Sequence, residues 1–209
     1  MAKLTTTIVP IQTIITNYKN RGYVHQKLEL NHYSLNNIEE IVSGCAIFIR
    51  LKSNKLQRLW CNKQNHTNIN QNNLVYGWPN EHQWWMKNNN AFRTKIANVI
   101  RNKILPKKSK FNDFDDLYDE LLKINITSGD LFRYDLTRRL AYCMKLQPSK
   151  YVYLHRGAEK GAMILHSKGL VKLPANYSKR VDLSVFAGLF PNMDSIDIEN
   201  LLCIHKKDF

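Results

Sequence analysis

Residues 121–160 constrain the fold of this chain more than any other segment. They read as the end of one helix, a short turn around Gly129, a second helix, a loop at Pro148 and then a His-Arg-Gly sequence. A turn between two helices leaves backbone N–H groups at the start of the second helix, where an anion can bind. The flanking side chains are mainly basic. The segment therefore predicts a contact with a nucleic-acid backbone.

The charge of the chain points the same way. Its 209 residues include 31 Lys and Arg against 17 Asp and Glu, a formal net charge of +14. A protein this basic attracts polyanions, of which nucleic acid is the commonest, although a basic surface can also lack a dedicated ligand. Residues 41–112 contain thirteen Lys and Arg and one acid, Glu81. We expect this stretch, with Arg93 and Lys95, to face DNA.

Composition excludes several classes of protein. Hydrophobic residues make up 44% of the chain and aromatic residues 11%, which is typical of globular proteins. We expect no export signal in the opening residues, and no apolar run reaches the roughly 18 residues that a membrane span needs. The cysteines are too far apart for a zinc site, so we expect reduced, packed thiols in a cytoplasmic protein with no metal, no cofactor and no membrane contact. They are Cys45, Cys61, Cys143 and Cys203.

The apolar spacing predicts a mainly α-helical protein. Residues 35–50 and 91–104 each carry an apolar stripe at helical spacing, and an Asn-rich loop at 62–73 separates them. We expect a single globular unit with two helical lobes. The basic lobe would span about 34–112, and the lobe that contains the helix-hairpin-helix-like element would span about 113–209.

The sign of the charge reverses at residues 113–120, which include five acids. At the first turns of a helix these acids complement the helix dipole, and this is the ordinary explanation for them. The other interpretation is a metal cluster of a nuclease. The apolar stripe of this helix is expected to consist of Phe114, Leu117, Tyr118, Leu121 and Leu122.

The helix after the turn is expected over 131–145, with a basic polar side. Asp135 lies among the arginines, where it could pair with Arg138 or Arg139 at i+3 or i+4, or act in catalysis. Beyond Pro148, His155 is a candidate general acid or base because imidazole titrates near neutrality.

The hairpin, the helix that follows it and the V-Y-x-H sequence at 152–155 together resemble the helix-hairpin-helix DNA glycosylases. The resemblance covers about 40 residues, with I-T-S-G at 126–129 as the turn. It implies a two-lobed, all-α fold, a hairpin whose amides bind phosphate, and an extruded base in a pocket. This chain lacks the family's L-P-G-x-G hairpin, and Tyr153 stands where the family has its catalytic Asp.

The resemblance implies base excision by flipping that leaves an abasic site, and defence against phage with modified DNA. Asp135 and His155 are the expected catalytic residues. The alternatives are a non-catalytic DNA- or RNA-binding module and a metal-dependent nuclease. The residues expected to bind nucleic acid are Ser128, Gly129, Asp130, Arg133, Arg138, Arg139, Arg156, Lys160, Arg93 and Lys95. Those expected to stack on bases are Tyr151, Tyr153 and Trp84.

Overall fold

The computed structural model describes residues 10–20, 27, 29–52, 55–60, 75–76, 81–124 and 129–209. The fold is mainly helical, as the sequence predicts. Its elements are α1 (Ile11–Tyr18), α2 (Ile38–Gly44), β1 (Ile47–Lys52), β2 (Lys55–Trp60), β3 (Val75–Tyr76), α3 (Asn90–Val99), α4 (Phe114–Lys123), α5 (Asp130–Met144), β4 (Tyr151–Tyr153), α6 (Arg156–Ser167), β5 (Arg180–Asp182), α7 (Ser184–Ala187) and α8 (Ser195–Ile204).

The chain divides into two compact units. Residues 25–147 form one, which we call the central unit, and residues 1–24 together with 148–209 form the other, the terminal unit. The expected boundary between 112 and 113 therefore falls inside the central unit. In the described part of the chain, no helix combines the length and the apolar character needed to cross a bilayer.

The central unit contains a small antiparallel sheet that the sequence did not predict. Its strand order is β2-β1-β3, and Ile47 pairs with Trp60. The helix expected over 35–50 is wrong from Cys45 onward, because α2 ends at Gly44 and β1 begins three residues later. Gly44 packs so closely on Tyr33 that a Cβ atom would lie 2.4 Å from the phenol oxygen. The β-branched and aromatic residues that follow favour a strand once a partner strand is present.

Helices α4 and α5 pack together in the same unit. The Asp113 side chain caps α4 by accepting a hydrogen bond from the Asp116 N–H at 3.0 Å, as expected for acids at a helix start. Phe114 stacks on Tyr118 and packs against Tyr134 of α5. Leu122 was expected in the buried stripe but is 41% exposed, since the packed side of this short helix ends at Leu121.

The terminal unit is built on the packing of α6 against α8. A Cβ atom at Gly157 would lie 2.3 Å from the Cys203 sulfur, and one at Gly161 would lie 2.4 Å from the Leu202 carbonyl oxygen. These two glycines, one helical turn apart, let the helix backbones approach closely. Strands β4 and β5 form a two-stranded antiparallel sheet beside them.

Helix α5 confirms the helix expected over 131–145 to within a residue. It ends at Met144, and the next residue, Lys145, caps it in the left-handed conformation with φ of 58°. Residues 126–128 of the expected turn and the Asn-rich loop at 62–73 lie outside the described residues. The hairpin itself therefore stays a prediction.

Candidate nucleic-acid interface

A helical segment that runs from α3 to Lys110 carries most of the basic residues expected to face DNA. The Asn89 side chain caps α3 by accepting a hydrogen bond from the Phe92 N–H at 3.0 Å. A π-helical turn (Ile100–Ile104) and a 3-10 turn (Leu105–Lys110) continue the segment. Ile96, Ile100 and Ile104 are buried on one side. The helical periodicity therefore places the charged residues on the opposite, solvent-facing side.

Four lysines of this segment, together with Lys87 just before it, form what we call the basic face. All five side chains are exposed, and none of them makes an ion pair within the part of the chain that the structure describes. Because no acid occurs from residue 82 to 112, their positive charges are not cancelled by sequence neighbours. The basic face consists of Lys87, Lys95, Lys103, Lys108 and Lys110.

Two further cations of the segment are neutralised. Arg101 pairs with Glu39, and Lys107 donates a hydrogen bond of 2.5 Å to Glu120. The hydrogen bond from Arg101 lowers the pKa of the Glu39 carboxyl, and that from Lys107 lowers the pKa of Glu120. The Arg101–Glu39 pair is exposed, and Lys107 is exposed beside the half-buried Glu120, so each pair adds little to stability.

Arg93, expected to bind nucleic acid, is half-buried and holds local structure. Its guanidinium donates to the carbonyl oxygens of Met86 and Lys87, the latter at 2.9 Å, and to the Asn90 side chain at 3.2 Å. These bonds fix the turn that leads into α3. Lys95, the other expected contact on this helix, is exposed and belongs to the basic face.

The structure contradicts the expected phosphate contacts of Arg138 and Arg139. Their side chains are only 5% and 2% exposed, and both pair with the fully buried carboxylate of Glu29. Arg138 donates to one oxygen of Glu29 at 3.0 Å, and Arg139 donates to the other at 2.6 Å. Both guanidinium groups can be buried because Glu29 supplies their counter-charge. Glu29 lies more than a hundred residues away in sequence.

The same buried cluster includes Tyr33 and Cys45. The Tyr33 hydroxyl donates to Glu29 at 2.9 Å, and Arg139 lies over the Tyr33 ring. Burial raises the pKa of Tyr33, and it raises the pKa of the Cys45 thiol to about 12. Burial by itself would lower the pKa of Arg139, but the charge of Glu29 and smaller effects of its other neighbours raise it well above its usual value.

The start of α5 places the expected hairpin residues as follows. Gly129 is exposed at the N-cap position, with no atom near the place of a Cβ. Asp130 accepts a hydrogen bond from Arg133 at 2.7 Å, which is an ion pair within the helix. The Arg133 side chain is half-buried. Ser128 lies outside the described residues.

In the terminal unit, Arg156 and Lys160 are exposed on α6, as contacts with a polyanion would require. Tyr153 is not accessible to a base, because it is only 2% exposed. The Arg180 Cζ atom lies 5.3 Å from the centroid of its ring, and the His155 ring stacks on it with the two centroids 6.2 Å apart. Its burial follows from its position in β4, whose partner strand carries Arg180. The expected stacking role of Tyr153 is therefore wrong in this structure.

The remaining expected aromatic contacts are only partly described. Tyr151 is half-buried in β4, and it lies opposite Asp182 of β5 in the strand register. The Trp84 side chain lies outside the described part of the chain. Its neighbour Trp85 packs edge-on against Phe92 at 4.9 Å, so this second tryptophan serves the packing of α3.

The two expected catalytic residues belong to different units. Asp135 is half-buried on α5 in the central unit, where its charge helps to raise the pKa of Arg139. Arg139 donates to the backbone carbonyl of Asp135 at 3.0 Å. His155 is 7% exposed at the start of α6 in the terminal unit. Its burial argues against direct proton exchange with a bound substrate.

The acids of α4 are engaged in ordinary helix-end contacts. Asp116 accepts from the backbone and side chain of Asn112, and Glu120 pairs with Lys107 and Lys123. Among the residues that the structure describes, no group of His, Cys, Asp and Glu has the arrangement of a metal site. These contacts support the interpretation of the acids as helix-start residues.

The sequence missed Glu29 as the partner of the two arginines, since no local pattern connects positions so far apart. It also counted Lys87, Lys103, Lys108 and Lys110 only as part of an asymmetric stretch. The structure shows that all of them are exposed, because it shows which side of the helix is buried. Comparison with known protein families, curated proteins and solved structures gave no match.

Proposed function

We propose that this chain is a DNA-binding protein whose basic face contacts the phosphate backbone. The observation that supports the proposal is the common exposure of the five lysines on one acid-free segment, with no ion pair in the described part of the chain. A lysine that neutralises a phosphate releases a condensed counterion, and this release drives binding. Arg138 and Arg139 are not among the proposed phosphate contacts, because both are buried and paired with Glu29.

The salt dependence of affinity tests this proposal. If all five lysines contact phosphate, the slope of log affinity against log salt is about −4.5, which corresponds to an affinity loss of about 500-fold between roughly 50 and 200 mM salt. Fluorescence anisotropy with a labelled 20-base-pair duplex measures it. An affinity that barely changes over this range contradicts the proposal.

A matched pair of variants locates the contact. The variant Lys103→Gln/Lys108→Gln removes two charges from the basic face, so its slope should fall by about 1.8 in magnitude. The control Lys172→Gln/Lys207→Gln removes two charges from exposed positions of the terminal unit and should keep the wild-type slope. Equal effects of the two variants would show a general charge effect instead of a defined contact surface.

Base excision is a second candidate, because Asp135 is a half-exposed carboxylate on α5. A carboxylate can stabilise the positive charge that develops on the sugar as a glycosidic bond breaks. Duplexes with normal and modified bases, incubated with EDTA and then treated with alkali, would reveal abasic sites as strand breaks. Asp135→Asn should abolish these breaks and retain DNA binding.

Three results of that assay separate the alternatives. Breaks that appear only after alkali support excision, and breaks that vanish with EDTA indicate a metal-dependent nuclease. Binding without damage on all substrates indicates a non-catalytic module. Wild-type turnover of Asp135→Asn would remove Asp135 from the active site.

A further inference from the structure

The exposed side of α3 and of the turn after it also carries a row of small, uncharged residues beside Lys95. They are 3, 7 and 11 positions after the first, so they lie on one side of the helix, opposite Ile96 and Ile100. All of them are exposed, and no acid interrupts the row. We call this row the polar stripe; it consists of Ala91, Thr94, Asn98 and Asn102.

The residue types of the polar stripe match those that contact base edges in the major groove. Asn pairs with adenine, and the methyl groups of Ala and Thr pack against the methyl group of thymine. A solvent-facing helix more often alternates acids and bases, which would repel the groove wherever an acid occurred. The stripe combines base-reading side chains with an uninterrupted lack of negative charge.

The dimensions also fit. An α-helix with its side chains is about 10–12 Å in diameter, and the major groove of B-DNA is about 12 Å wide, so the groove admits it. The stripe extends about 16 Å along the helix at 1.5 Å per residue. Lys87 precedes the stripe, and Lys103 and Lys108 follow it, so basic groups lie at both ends of the segment. Phosphate contacts at the ends would fix the register in which the stripe meets the bases.

The neighbours of the stripe leave its central residues accessible. Arg101 pairs with Glu39, and its guanidinium lies 3.4 Å from the Asn98 side-chain oxygen, a long and therefore weak hydrogen bond. Lys95 and Asn102 make no side-chain hydrogen bond within the described residues. Contact with a base pair would thus break only the weak bond at Asn98.

We infer that the polar stripe reads base pairs in the major groove of duplex DNA, so that binding is selective for sequence. The inference rests on the proposed DNA-binding function and adds its substrate class. Double-stranded RNA is the contrasting partner, because its deep, narrow major groove does not admit a helix.

Selection from a pool of randomised duplexes, followed by affinity measurement, tests the inference. Asn98→Ala/Asn102→Ala removes two base-reading amides without changing charge, and alanine favours the helix, so the fold is retained. The variant should lose at least about 5- to 150-fold in affinity for the selected duplex, the range for one bidentate base contact. Affinity for a scrambled duplex should stay unchanged. Asn176→Ala, at an exposed position of the terminal unit, is the control and should alter neither affinity.

The outcomes are distinguishable. A wild-type protein that binds duplexes with a strong salt dependence but enriches no sequence overturns the inference and leaves the proposed function intact. A double variant that keeps the sequence preference overturns it too, as does equal affinity for double-stranded RNA. Failure of the wild type to bind any duplex at low salt overturns the proposed function itself.

Discussion

Replacing Glu29 by Gln should strongly destabilise the central unit. The Glu29 carboxylate is fully buried and accepts hydrogen bonds from Tyr33, Arg138 and Arg139, at 2.9, 3.0 and 2.6 Å. A glutamine has the same shape but no charge. Its amide nitrogen is a hydrogen-bond donor, so it would face the N–H or O–H donor of one of these three residues. Two guanidinium groups would then lie in the interior without a counter-charge from Glu29.

The expected loss follows from the cost of an uncompensated buried charge. Removal of one partner of a buried ion pair costs about 3–5 kcal/mol of the free energy of unfolding. For a chain of this size that is a decrease of about 10 °C in the midpoint of thermal unfolding. The substitution should leave the salt dependence of DNA binding unchanged below that midpoint, since the arginines are structural and do not contact phosphate.

Urea unfolding followed by circular dichroism measures the free energy, and Glu39→Gln is the matched control. Glu39 forms an ion pair with Arg101 that is exposed on both sides. Its loss should leave the unfolding midpoint close to that of the wild type. If Glu29→Gln unfolds within about 1 kcal/mol of the wild type, the assignment of Arg138 and Arg139 to a buried, paired cluster is wrong.

Two further predictions concern packing and pH. Gly161→Ala places a Cβ 2.4 Å from the backbone oxygen of Leu202, so it should destabilise the terminal unit by about 1–3 kcal/mol in urea unfolding. Gly188→Ala, with open space around its Cβ, should be neutral or slightly stabilising, and equal losses for both variants would refute the close packing of α6 on α8. The Cys45 pKa is raised from 9.0 to about 12 by burial, so its stabilising contribution is complete below pH 9 and is lost as pH rises toward 12. Between about pH 8 and pH 10 the wild type should lose about 1.4 kcal/mol of unfolding free energy through this thiol, and a Cys45→Ala variant should not. Parallel pH profiles for the two proteins would contradict the burial of Cys45.

The helices with strong local signals could be predicted from the sequence. The apolar spacing gave α5 to within a residue, and it gave the segment 91–104 as helical, although α3 itself ends at Val99 and a π-helical turn continues to Ile104. The acids at 113–120 indicated the start of α4. Each signal is local, because a helix forms its backbone hydrogen bonds within its own segment. The residues from Cys45 to Arg50 show the limit: their apolar side chains fit a helical spacing, yet β1 forms there because β2 pairs with it.

The candidate site shows the same limit in its charges. The sequence could indicate that residues 41–112 are basic, but it could not separate the exposed lysines from the paired Arg101 and Lys107. It also treated Arg138 and Arg139 as surface residues, because Glu29 lies far away in sequence. Long-range ion pairs leave no periodic pattern, so only the tertiary structure shows which cations have a buried partner.

Acetylation of lysines, read by mass spectrometry with and without bound duplex DNA, tests whether the basic face contacts DNA. DNA should slow the modification of all five basic-face lysines and leave that of the exposed lysines Lys172 and Lys207 unchanged. Equal protection at every lysine, or none at Lys95, Lys103 and Lys108, would contradict it.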